Sequence, residues 1–238
     1  MKFLSFKIYS FLVLSSTCYV PLRCNVQAVI RVPLNKYIPA VIFFGDSNVD
    51  TGNNNGLKTI VEANFLPYGQ DFMGGKPTGR FNNGKAPPDL LVEELGIKEL
   101  LSAYLDPNLQ VEDLITGVNF ASGRAGYDPL TSEILKVVSL SGQLEMFKEY
   151  IIKLKEIVGE DRKNEILANS LFILVIGSND ITNTYFSTPL RKFYYDYNIA
   201  TQSEFMRVGC VPSKRTLRGG KERECVDYLN QATQLFNC

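Results

Sequence analysis

Ala40-Val41-Ile42-Phe43-Phe44 is a run of five apolar residues that stops at Gly45. A continuous apolar run of that length, bounded by a turn residue, predicts a strand buried on both faces, as in a parallel sheet. The same pattern returns at Leu171-Phe172-Ile173-Leu174-Val175-Ile176, which stops at Gly177-Ser178-Asn179-Asp180. Val118-Asn119-Phe120-Ala121 predicts a shorter strand running into Ser122-Gly123-Arg124-Ala125-Gly126. Leu144, Phe147, Ile151, Leu154 and Val158 recur at helical spacing, with Lys148, Glu149, Lys153 and Lys155 mostly on other faces. They predict a helix with a core-facing stripe, ended by Gly159. Asp89 to Leu95 predicts a short amphipathic helix stopped by Gly96, and the Gly- and Pro-rich stretch from Pro67 to Pro88 predicts loop. Strands alternating with helices imply a parallel α/β sheet covered on both faces. After Thr184 the periodicity fades: Tyr185 to Phe205 is aromatic without a clear period, and the tail is turn-rich, then weakly helical from Glu222 to Phe236.

Residues Met1 to Ala28 follow a different pattern. Lys2 and Lys7 precede a modestly apolar stretch from Ile8 to Val20, and Val26-Gln27-Ala28 offers a small-residue cleavage site. This is the pattern of a secretory signal peptide, and the stretch is short for a bilayer span. The remaining domain is expected over residues 37–238, and localisation is expected to be extracellular. The first 28 residues carry Lys2, Lys7 and Arg23 and no acid, so the remainder holds 22 basic against 25 acidic residues, a net of −3. Cys18 and Cys24 would leave with the signal. Cys210 and Cys225 would then be able to close a short loop in an oxidising compartment, across Pro212 and Gly219-Gly220.

At 238 residues and 26.7 kDa the chain is long enough for one domain or two small ones, and its 45% hydrophobic content excludes a wholly disordered reading. Lys+Arg and Asp+Glu both number 25, so no basic excess exists to neutralise a phosphate backbone, and nucleic acid is excluded as an expected partner. Histidine is absent. That removes Ser-His and Cys-His couples, and every His-ligated metal site, from these residues. No cofactor or metal is expected. Asp46, Asn48 and Asp50 alternate like the start of a calcium loop, but Thr51 and Leu57 stand where such a loop needs Gly and Glu. Gly74-Gly75 and Gly219-Gly220 follow no predicted strand, which leaves a phosphate-cradling loop without support.

The candidate chemistry sits at the predicted strand ends: Gly45-Asp46-Ser47, Ser122-Gly123 and Gly177-Ser178-Asn179-Asp180. In an open parallel sheet, ligands gather at the carboxyl ends of strands, so the clusters should share one crevice. A serine just past a strand exposes its hydroxyl and aims its own N–H at a developing oxyanion. Gly123, without a side chain, can bring its N–H close to a substrate, and Asn179 can add an amide donor. One such donor is typically worth about 3 to 4 kcal/mol of transition-state stabilisation.

Phe43-Phe44-Gly45-Asp46-Ser47-Asn48-Val49-Asp50-Thr51-Gly52-Asn53-Asn54-Asn55 closely resembles the first block of the plant GDSL esterase/lipase family, a branch of the SGNH hydrolases. Further blocks follow in family order: Pro67-Tyr68-Gly69, Pro77 to Lys85, Asn119 to Gly123, Ile176 to Asp180 and Gly209 to Thr216. The match looks most like the extracellular lipase group and covers roughly residues 37–238. The resemblance implies a three-layer αβα sandwich around a parallel sheet that cleaves acyl esters, of lipids or other carboxylic acids. It implies Ser47 as nucleophile, with Ser47 N–H, Gly123 N–H and the Asn179 amide as oxyanion donors.

The chain also departs from that pattern. The family's general base is a histidine in a late Asp-x-x-His block, and neither occurs in these residues. A helix and core strand that relatives carry before Gly-Cys-Val-Pro-Ser are missing, because Phe205-Met206 runs almost directly into it. The fold is therefore expected to be incomplete toward its C-terminal side, marginally stable, and exposed at a sheet edge. Activity is expected to be impaired or absent. The alternatives are a non-catalytic protein that binds esters or lipids, and a shortened gene product.

Overall fold

The computed structural model describes residues 37–187 and the strand at 207–210. The expected signal segment, the aromatic stretch beyond 187, the tail helix and the Cys210–Cys225 pairing lie outside the described residues. Strand β1 (Val41–Gly45) and strand β2 (Leu171–Val175) pair in parallel, with Val41 opposite Leu171 and Gly45 opposite Val175. Both form where continuous apolar runs predicted them, for the reason anticipated. Side chains of β1 alternate between two cores, so both faces must be apolar.

Ile42 and Phe44 face one core, with Phe120, Phe147, Tyr150, Leu154 and Ile166; Val41 and Phe43 face the other, with Val92, Leu101 and Ile173. The first core is an aromatic stack. Phe120 lies 5.3 Å from Phe44, Phe147 meets Phe44 edge-on at 5.5 Å, and Phe172 meets Phe147 edge-on at 5.8 Å. Each fully buried ring of this kind contributes about 2 to 3 kcal/mol by area. A helix-covered sheet with a core on each side is the expected α/β sandwich.

Five helices frame the sheet among the described residues. These are α1 (Pro87–Glu94), α2 (Val111–Thr116), α3 (Pro129–Leu135), α4 (Leu140–Val158) and α5 (Glu160–Asn169). The predicted stripe helix is α4. It starts four residues earlier than its stripe because the Ser139 hydroxyl caps it at Gly142 N, and it stops at Gly159, whose φ is +79°. The predicted helix over Asp89–Leu95 is α1, led by Pro87 and Pro88. Its Asp89 faces inward: it forms a bidentate pair with Arg80 (2.7 and 2.9 Å) and accepts from the N–H groups of Ala86 and Leu101.

Two expectations need correction. The strand over Val118–Ala121 is reduced to isolated parallel bridges from Asn119 to Phe43 and to Ala103. Pairing with β1 does not continue because the next donor, Gly45 N–H, goes to Gln143 Oε1, while the Asn53 amide takes the Asn119 and Ala121 carbonyls (2.8 and 2.7 Å). Second, the sheet beside β2 is not parallel as expected. Strand β3 (Arg207–Cys210) pairs there antiparallel, with a register shift between Phe172 and Ile173, which makes a mixed sheet of order β1-β2-β3. No helix among the described residues is long and apolar enough to cross a membrane.

Candidate active site

At the end of β1 the chain turns under tight constraint. Gly45 has φ +148°, and a Cβ there would lie 2.1 Å from the Val175 carbonyl oxygen. Only glycine permits that approach. Its N–H donates to Gln143 Oε1 (2.9 Å) and its carbonyl accepts from Gln143 Nε2 (2.8 Å), so a buried side chain of α4 grips both backbone groups. Asp46 N–H donates to the Val175 carbonyl at 3.0 Å; the N–H groups of Val49 and Asp50 then both return to the Asp46 carbonyl. This turn places Ser47, half-buried, at the sheet's carboxyl end. Among the described residues its hydroxyl and N–H have no hydrogen-bond partner.

Buried carboxylates cross-link the strand ends. Asp46 Oδ1 accepts from Asn48, while its Oδ2 reaches Ser178 Oγ and Asn179 Nδ2, both at 3.2 Å. Asp50 accepts from the N–H groups of Gly52 and Asn53, then spans to Gly123 N–H at 2.9 Å. Asp180 comes from the far strand end and accepts from Tyr127 N–H (2.8 Å), Asp128 N–H (3.0 Å) and Thr131 Oγ1 (2.7 Å). The loop 122–128 is thus held from both sides. Burial pushes all three carboxyls up against these hydrogen bonds. Asp50 rises to about 6, the Gly52, Asn53 and Gly123 N–H groups and the Arg80 charge opposing it, and Asp180 also rises to about 6.

The asparagine run Asn53-Asn54-Asn55 ties separate segments together. Asn53 holds the 119–121 segment and accepts from Leu105 N–H (3.0 Å); Asn54 Oδ1 accepts from Ser122 Oγ (2.5 Å) and Gly123 N–H (3.1 Å). Asn119 in turn donates to the Val49 carbonyl. The signal for these roles was composition alone: polar residues too numerous for a loop that must stay soluble. Gln143 had no signal beyond standing among apolar neighbours at helical spacing.

Ser47, Gly123 and Asn179 therefore come to one end of the sheet, through bonds made by Asp46 and Asp50. Their donors are not equally available. Gly123 N–H is engaged by Asp50 and Asn54, and Asn179 Nδ2 by Asp46 and the Ala125 carbonyl (3.0 Å). A Cβ on Gly123 would sit 2.4 Å from the Phe81 ring, so that ring lies against the bare α-carbon. Arg124, with φ +67°, follows directly. Among the described residues no group of His, Cys, Asp and Glu could hold a metal ion.

A serine turn leaving one strand of a parallel pair, beside a loop clamped to the next, defines the class: an α/β protein with polar residues gathered at the carboxyl end of its sheet. The family model for GDSL-like lipase/acylhydrolase matches residues 41–237, and the chain belongs to that family. It is 51% identical over 230 residues to the GDSL esterase/lipase EXL3 of Arabidopsis thaliana, covering 87% of this chain and 63% of that one. It is 47% identical to the GDSL esterase/lipase At5g42170 of the same plant, covering 89% of this chain and 63% of the relative. The GDSL esterase/lipase At3g14820 is 46% identical, with 84% and 63% covered. The chain thus spans 63% of the length of these relatives. No solved structure matches it.

Proposed function

We propose that this chain is an acyl-ester hydrolase in which Ser47 is the nucleophile and the Ser47 N–H, Gly123 N–H and Asn179 amide receive the oxyanion. Lipids or other carboxylic esters are its substrate class. The observation that carries the reading is the reach of Asp46 to Asn179 and of Asp50 to Gly123, which gathers the expected residues at one strand end. The half-buried Ser47 hydroxyl, without a hydrogen-bond partner among the described residues, supports it. In the step proposed, Ser47 Oγ gives its proton to water and adds to the ester carbonyl carbon, the carbonyl oxygen takes the negative charge, and its collapse breaks the ester C–O bond, the alcohol leaving with a proton from water. Water then releases the acid. The oxyanion must displace Asp46 from Asn179 and Asp50 with Asn54 from Gly123.

The serine proton needs an acceptor, and these 238 residues contain no histidine. Turnover by this chain is therefore expected to be slow: without the base, an oxyanion hole and binding still leave about 10³–10⁴-fold over water. Hydrolysis of p-nitrophenyl butyrate by the purified chain should exceed the blank and vanish in Ser47→Ala. Equal rates in the two proteins would overturn the assignment. The pre-engaged Gly123 and Asn179 donors favour one second reading, a protein that binds esters without turning them over. It expects thermal stabilisation by a non-hydrolysed ester analogue and no Ser47-dependent product. Export from the cell is proposed on the pattern of the first 28 residues alone.

A further inference from the structure

The Asn179 amide is held in one orientation, and its neighbours dictate which. Its Nδ2 donates to the Ala125 carbonyl (3.0 Å) and to Asp46 Oδ2 (3.2 Å), on the side of the serine turn. Its Oδ1 faces the other way and accepts from Asn183 Nδ2 at 3.0 Å. Asn183 Oδ1 in turn accepts from Arg124 Nη1, also at 3.0 Å. A guanidinium only donates and a backbone carbonyl only accepts, so the two ends fix the sense of every bond between them. The donors therefore run head to tail from Arg124, through Asn183, to Asn179. Asn183 is placed for this by the helical segment Asp180–Tyr185, which begins directly after Asn179 and brings a side chain four residues on over the first.

The backbone at Arg124 supplies a second observation. Ala125 N–H returns to the Ser122 carbonyl at 3.0 Å and closes a four-residue turn whose third residue, Arg124, has φ +67°. Such a turn favours glycine at that place, and a side chain there costs about 1 to 2 kcal/mol. The chain nevertheless puts a long cation at it. Arg124 is exposed and forms no ion pair among the described residues, and its directed contact is the one to Asn183. Amides bonded in one sense polarise one another, so a charge at one end of the row is felt at the other. The end away from Arg124 is the Asn179 Nδ2 that the oxyanion would meet.

We propose that Arg124 and Asn183 are positioning residues for the oxyanion: they hold the Asn179 amide with its Nδ2 toward the serine turn and carry the pull of the guanidinium to it as negative charge develops. The inference rests on the hydrolase reading for the anion it serves, whereas the relay itself is measured without turnover.

Asn183→Asp separates a relay from a strut. It keeps the size of the side chain and an acceptor for Arg124, and it removes only the donor to Asn179. A strut would tolerate it. The relay predicts a loss of about tenfold in the Ser47-dependent kcat for p-nitrophenyl butyrate with KM little changed, the size of one lost hydrogen bond. Arg124→Met, on the surface, should lower kcat about threefold, and Arg124→Lys should recover most of that. Combined with Asn183→Asp, Arg124→Met should add nothing, because the row is already cut. In proton–nitrogen correlation spectra of the isotope-labelled full chain, the Asn179 side-chain amide protons should move upfield in both Asn183→Asp and Arg124→Met. Resonances that stay in place, or kcat losses that simply add in the double variant, would overturn the proposal. A chain without Ser47-dependent hydrolysis sinks the hydrolase reading alone, since the Asn179 resonances still decide the relay.

Discussion

The serine turn and the wall of the cavity lined by Ile60, Phe65, Tyr68, Phe81, Arg124 and Ile134 are built on opposite terms. Around the turn, Asp46, Asp50, Asn53, Asn54, Asn119, Gln143 and Asp180 are all buried, and each makes directed side-chain hydrogen bonds to another segment. Across the cavity, Ile60 is 91% exposed, Phe65 54% and Ile134 53%, and rings touch rings with few polar ties. Buried polar networks are costly when any member is missing, so they admit one arrangement. Apolar contacts between exposed side chains tolerate rearrangement. The turn is therefore rigid and the wall adaptable.

The sharpest way to break this contrast is Gly45→Ala. Its Cβ would meet the Val175 carbonyl at 2.1 Å on a backbone that only glycine adopts at ease, so a loss above about 4 kcal/mol is expected. Circular dichroism should find no cooperative thermal transition. A variant melting within a few degrees of the parent would mean the turn is not rigid.

A middling effect is expected from pH. Asp50 and Asp180 titrate near 6 when folded and near the ordinary carboxyl value when unfolded. Between about pH 4 and 6 the folded chain binds protons that the unfolded chain does not, so stability rises as pH falls through 6 and declines as pH rises through it. Each group can contribute on the order of 3 kcal/mol. Glu160, held at about 2 by Lys163 and Lys155, titrates below that window. The melting temperature should be several degrees higher at pH 5 than at pH 7.5; a lower one at pH 5 would show that the clamps need ionised carboxylates. The smallest effect should come from Phe65→Ala. Its stability cost is expected below about 0.5 kcal/mol, and a larger drop in denaturant midpoint would make the wall part of the core.

Much of this architecture was legible before any coordinates. β1, β2, α4 and α1 announce themselves by apolar runs, helical stripes and glycine stops, because each buries a face defined by its own residues. The helices α2, α3 and α5 are short or polar, and their patterns fade into those of loops. The Val118–Ala121 segment read as a strand because its composition suits one, yet Asn53, far away in sequence, takes its carbonyls. Candidate site residues were legible as small polar residues at strand ends, together with a family resemblance. That Gly123 N–H and Asn179 Nδ2 would already be engaged was not, since the engaging groups lie 73 and 133 positions away.

Local pattern was enough to specify strands β1 and β2, the principal helix, the family and the absence of a histidine, since burial periodicity and residue identity are properties of neighbours in the chain. The availability of each oxyanion donor, the Gln143 grip on Gly45, the antiparallel third strand and the cavity beside Arg124 were settled only by folding. Each depends on groups from separate segments meeting at hydrogen-bond or van der Waals distance, and no stretch of sequence carries that distance within itself.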